Sequence, residues 1–153
     1  MAKEKSLMGE MRCLSHMIKR MIDRSGSKKY VDKVTGTNGF IISYIAKNEG
    51  RDVFQKDLEQ EFSIRRSTAS SIVALMEKKG LIERRGVDYD ARLKKLSLTE
   101  KGWEIRKIMT DDIKRIDMRL KESFEKDELD KFFEYIDRLK SAVDKIDKSE
   151  NQL

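Results

Sequence analysis

Three stretches of this chain repeat apolar residues at helical spacing over many turns, and no proline interrupts any of them. In the first, Leu7, Met11, Leu14, Ile18 and Met21 recur at spacings of 4, 3, 4 and 3, which predicts an amphipathic helix over about 6–24. A period near 3.5 is also the seam of a helix that packs on another long helix. The second stretch, about 100–123, carries Trp103, Ile105, Ile108, Met109, Ile113, Ile116, Leu120 and Phe124. The third, about 126–147, carries Leu129, Phe132, Phe133, Ile136, Leu139, Val143 and Ile146. Asp127 and Glu128 in its first turn suit the positive end of the helix dipole. With no proline and 8 glycines in 153 residues, loop-rich and collagen-like folds are excluded.

Between the first and second stripes the chain changes character. Ser25-Gly26-Ser27 ends the first helix, and residues 28–37 show no clear period and are expected to form a loop with a short turn. The apolar block Phe40–Ile45, closed by Asn48-Glu49-Gly50, predicts a short buried helix. Phe54, Leu58 and Phe62 predict another at about Gln55–Glu61, and Ala69, Ile72, Val73 and Met76 a third at about Arg65–Lys79. Ser63-Ile64 is a brief turn, and Gly80 sits where a left-handed cap belongs. Then the period drops to two. Ile82-Glu83-Arg84 and Leu96-Ser97-Leu98 read as short strands, joined by Arg85–Arg92, a polar loop too long for a tight hairpin. Thr99 is a good N-cap for the next helix. Residues 148–153 are expected to fray.

Short helix, turn, helix and a basic two-stranded hairpin make a winged helix-turn-helix. The expected fold is mainly α with a small antiparallel β wing. Its parts are an N-terminal helix and loop at 1–37, the winged domain at 38–101, and C-terminal helices at 102–153.

Charge agrees with this reading. The chain carries +6 overall, but residues 63–101 hold 10 basic and 5 acidic side chains, while residues 111–153 hold 10 and 13. A basic block flanked by structured sequence makes a basic surface, and nucleic acid is the default partner of such a surface. The helix at 65–79 would present Arg65, Arg66, Ser67, Thr68, Ser70 and Ser71. Small hydroxyls let a helix approach a groove wall, and arginine can fork onto guanine. Arg84, Arg85 and Lys94 extend the basic surface onto the wing.

Leu81-Ile82-Glu83-Arg84, Asp90-Ala91-Arg92 and Leu98-Thr99-Glu100-Lys101-Gly102 resemble the multiple-antibiotic-resistance regulator (MarR) family of bacterial transcription factors. The likeness is good over roughly Thr37–Gly102 and rests on helix length and period elsewhere. It implies a homodimer whose terminal segments, a dimerisation helix and loop at 1–37 and the dimerisation helices at 102–153 that pack with it, interlock across a two-fold axis. It also implies that Arg92 is the wing-tip arginine of the minor groove, oriented by Asp90. Three positions depart from the family pattern: Ala91 replaces a frequent arginine, Ser63 a frequent turn glycine, and Glu59 an alanine between the helices. Stripes as long as those on the terminal helices must be covered, and a partner subunit is the simplest cover. A repressor of this class binds a pseudo-palindromic double-stranded operator, with half-sites about one helical turn (~34 Å) apart.

Other residues support secondary readings. The resemblance points to a small aromatic or lipophilic effector between the dimer helices and the winged domain, with Met11, Met17, Phe40, Tyr44 and Trp103 as candidate lining. Cys13 lies in the helix where the peroxide-sensing branch of the family keeps its thiol, with Tyr30 and Tyr44 as candidate hydroxyl partners. A thiol-based repressor is therefore one alternative, and a winged-helix protein-interaction module without DNA binding is another. His16, the one histidine, lies opposite the apolar stripe and cannot build a zinc site alone. No metal, cofactor or catalytic motif is expected, so the chain is read as a non-enzyme. The single cysteine points to a reducing compartment, no apolar run spans a bilayer, and Met1–Lys5 lead into no signal peptide, so a cytoplasmic protein is expected.

Overall fold

The computed structural model describes residues 5–150; Met1–Glu4, on which most of the signal-peptide reading rests, and Asn151–Leu153 of the expected frayed tail lie outside the described residues. The chain runs α1 (Leu7–Asp23), α2 (Gly26–Thr35), α3 (Gly39–Lys47), α4 (Gln55–Glu61), α5 (Arg66–Lys78), β1 (Ile82–Val87), β2 (Asp90–Leu98), α6 (Glu100–Lys121) and α7 (Lys126–Glu150). It divides into two compact units, residues 1–113 and 114–153.

In the first unit, Ile41, Ile42 and Ile45 of α3, Leu58 of α4, Val73 and Met76 of α5, and Leu81, Ile82, Leu96 and Leu98 around the hairpin form one buried cluster with Ile105. Ile41 and Ile42 of α3 lie four and three residues before Ile45, and Val73 of α5 lies three before Met76, which places each set on one face of its helix. The strands pair antiparallel from Ile82↔Leu98 to Gly86↔Lys94. In the second unit, α7 buries no residue, and Phe124 stacks on Phe132 with ring centroids 5.5 Å apart.

Two stretches expected to be loops are ordered elements. Residues 28–37 are largely helix α2. Its N-cap Ser25 accepts the Lys28 N–H at 3.1 Å, and its buried face is Val31 and Thr35, whose hydroxyl returns to the Val31 carbonyl at 2.8 Å. A buried threonine in place of a second aliphatic residue hides the helical period. The segment Arg85–Arg92 belongs mostly to the strands, which are joined by a two-residue turn, Asp88-Tyr89. The register jumps between Gly86↔Lys94 and Val87↔Asp90, so Ala91, Arg92 and Leu93 bulge out of the ladder. Residues 148–150, expected to fray, continue α7.

Among the described residues, three helices end in left-handed caps. Gly36 (φ 62°) closes α2, Gly80 (φ 68°) closes α5, and Ser63 (φ 50°) closes α4. After Ser63 the Ile64 N–H reaches back to the Glu59 carbonyl at 3.1 Å, and after Gly80 the Leu81 N–H reaches the Met76 carbonyl at 3.0 Å. Ser63 thus holds a conformation that costs a non-glycine residue about 1–2 kcal/mol, offset by about 0.5–1 kcal/mol for the looser unfolded chain of glycine. Ser63→Gly is expected to raise Tm by about 1–4 °C in a thermal melt, and a lower Tm would show that the serine side chain supports the turn.

Candidate nucleic-acid interface

Helix α5 buries Ala69, Val73 and Met76 and turns the opposite face outward. Arg65, Arg66, Ser67, Thr68, Ser70 and Ser71 are all exposed. The N-cap residue, Arg65, makes no side-chain cap, so the first-turn amides of α5 can donate to a phosphate oxygen. Ser71 differs from its neighbours, because its hydroxyl donates to the Ser67 carbonyl at 3.0 Å. It retains acceptor capacity, which suits a base amino group better than a phosphate. Behind the helix, Glu59 is half-buried and accepts from Gln55 Nε2 at 3.1 Å, so the glutamate is accommodated without breaking the turn.

A cleft of about 570 Å³ opens between α4, the start of α5 and the hairpin, and Arg66, Arg84, Arg92 and Lys94 line it together. Lys56 of α4 joins them, a basic residue that sequence reasoning missed because its segment is net acidic. Glu59 is the acidic residue in the lining. Arg84 also pairs with Glu77 at 3.3 Å. Arg85 points to the other face of β1, as alternation along a strand requires, where it pairs with Glu83 and lines a different cleft beside Trp103.

The bulge carries Arg92 outward, with its side chain 91% exposed. One carboxylate oxygen of Asp90 accepts both the Arg92 backbone N–H at 2.9 Å and its Nε at 3.3 Å. At the turn, Tyr89 Oη donates to Asp52 Oδ2 at 2.9 Å, and Lys95 Nζ donates to Asp52 Oδ1 at 2.9 Å. These two bonds, Lys95 first, hold the Asp52 carboxyl below the usual carboxylate range, and Asp52 in turn pushes the Tyr89 phenol up. Asp52 was not legible as a site residue, since its partners lie 37 and 43 positions away.

The expected effector residues are not brought together. Phe40 and Tyr44 line a cleft of about 520 Å³ with Val31 and Met109, both meeting Phe62 edge-on at 4.7 and 5.6 Å. Met11 and Met17 are exposed on α1 and do not line it, and Trp103 lines the cleft beside Arg85. The period that groups methionines on one helix does not say which neighbour that helix faces. Cys13 and His16 are exposed, and the Tyr44 hydroxyl accepts from Arg51 Nη2 at 2.8 Å. Among the described residues no group of three or more His, Cys, Asp or Glu could hold a metal ion, and no helix is long and apolar enough to cross a membrane.

A family model described as "MarR family" matches residues 33–93. No curated protein sequence matches the chain. Among solved structures, the transcription regulator MarR from Oenococcus oeni PSU-1 is 30% identical, with 85% of this chain and 97% of that one covered and a TM-score of 0.55. A mutant of S. aureus MepR is 19% identical, covering 91% and 99%, with a TM-score of 0.77. An S. aureus MepR–DNA complex is 20% identical, covering 86% and 96%, with a TM-score of 0.66. The likeness to the MepR structures shows the winged fold.

Proposed function

The chain belongs to the MarR family of transcription regulators, and on that premise we propose that it is a cytoplasmic, homodimeric repressor that binds a pseudo-palindromic double-stranded operator and releases it on binding an effector. The observation that carries the DNA reading is the cleft in which Lys56, Arg66, Arg84, Arg92 and Lys94 converge beside the uncapped start of α5. In this reading α5 enters a major groove and the wing reaches the adjacent minor groove. Residues 38–101 bind DNA, while 1–37 and 102–153 form the subunit interface. Leu7, Leu14 and Met17 on α1, and Phe133, Val143 and Ile146 on α7, leave their apolar surface exposed in the single chain, which supports a second copy as their cover. The cleft at Phe40 and Tyr44 suits a small aromatic or lipophilic effector.

Operator selection followed by anisotropy titration tests the DNA reading. Arg66→Ala and Thr68→Ala are each expected to weaken operator binding by about 1–3 kcal/mol and random-duplex binding much less. Equal losses on both duplexes would reduce these residues to phosphate contacts.

The wing variants separate two accounts of Asp90. Arg92→Ala is expected to weaken operator and random DNA alike and to flatten the salt dependence by about one phosphate equivalent. Asp90→Ala removes a negative charge near a polyanion, so simple electrostatics predicts tighter binding. Loss of the bonds that hold Arg92 predicts weaker binding at an almost unchanged Tm, because an exposed pair adds on the order of 0–1 kcal/mol to folding. The weaker outcome is expected, and tighter binding would make Asp90 a solvated wing residue.

A further inference from the structure

Asp52 lies between α3 and α4, outside both the recognition helix and the hairpin, yet its carboxylate reaches the wing at two levels. Oδ2 holds Tyr89 at the turn and Oδ1 holds Lys95 on β2, each at 2.9 Å. The next residue continues the attachment, since the Leu96 N–H donates to the Val53 carbonyl at 2.7 Å and the Val53 side chain is buried. A lone two-stranded hairpin is marginally stable in water, so contacts beyond its own ladder decide how firmly it stands. Residues 91–93 lie outside that ladder, and they include Arg92.

We infer that Asp52 is a positioning residue for DNA binding, pinning the wing to the α3–α4 connection through Tyr89 and Lys95 and so fixing where Arg92 stands relative to α5. The inference rests on the wing being a DNA contact. A held hairpin has less freedom to lose when it meets a groove, so its tether contributes to affinity without touching DNA. Charge alone argues the opposite: Asp52 is an acidic group beside a basic surface, and removing it strengthens attraction to a polyanion. The sign of the effect therefore separates tether from electrostatics.

The wild-type chain, Asp52→Ala, Tyr89→Phe and the double variant are titrated against a labelled random-sequence duplex of about three helical turns at several salt concentrations. Each single variant is expected to bind about 2- to 10-fold more weakly, with the double variant no weaker than the worse single and the salt slope unchanged. Equal or tighter binding by Asp52→Ala overturns the inference. So do losses that multiply in the double variant, which would make Tyr89 an independent DNA contact. Amide hydrogen exchange on the free protein supplies a readout that does not need DNA. Asp52→Ala is expected to speed exchange over residues 90–95 while Ala69–Met76 of α5 keep wild-type protection, and unchanged exchange in the wing overturns the tether. If the wild-type protein binds no duplex at low salt, the DNA role itself fails, and the exchange result then reports on the tether alone.

Discussion

Gly102→Ala is expected to destabilise the protein by about 3 kcal/mol or more and to lower Tm by about 6–12 °C. A Cβ at this position would stand 2.1 Å from the Leu81 carbonyl oxygen and 3.3 Å from the Leu98 Cβ. The carbonyl cannot easily give way. It already accepts the Thr99 N–H at 3.2 Å, and Leu81 is fully buried. The Thr99 hydroxyl donates to the Gly80 carbonyl at 2.6 Å and accepts the Gly102 N–H at 3.1 Å. The start of α6 is thus locked to the end of α5, and an added methyl must push one away from the other. Gly50→Ala is the control, because a Cβ there meets nothing within 4 Å. Thermal melts of the two variants check the claim, and equal Tm values would show that α6 can shift at little cost.

The full chain is expected to be a dimer at micromolar concentration, and deleting residues 126–153 is expected to yield an aggregated or unfolded product. The deletion removes Leu129, Phe132, Phe133, Ile136, Leu139, Val143 and Ile146 together. Each is worth roughly 1.5–3 kcal/mol when fully buried, and none is buried in the single chain. That difference is the surface a second copy would cover. Sedimentation and circular dichroism of both chains decide the matter. A soluble, monomeric, well-folded truncation would remove α7 from the proposed dimer core.

The helices that position the recognition surface were legible where aliphatic side chains mark one face. Phe54, Leu58 and Phe62 placed α4 at Gln55–Glu61, and Ala69, Ile72, Val73 and Met76 placed α5. Where a polar residue does the burying, as Thr35 does in α2, the period vanishes although the packing remains. The wing was under-read for a different reason: its alternation is broken by a bulge, so a short turn with extra residues looked like a long loop. Of the candidate site, the arginines were legible as types and positions. The convergence of Lys56 on them and the hold of Asp52 on Tyr89 and Lys95 were not, since both depend on which distant segments the fold brings side by side.

The bulge at Ala91–Leu93 separates two kinds of inheritance in one hairpin. The rungs from Ile82↔Leu98 to Gly86↔Lys94 are complete without these three residues. Below them, a methyl added at Gly102 has no room against the Leu81 carbonyl. Above them, insertions and deletions alter the reach of the tip by about 3.3 Å for each pair of residues, one in either strand, and leave the rungs as they are. A lineage of such proteins can therefore change how far the tip reaches by changes of length alone, while the root of the same hairpin stays frozen.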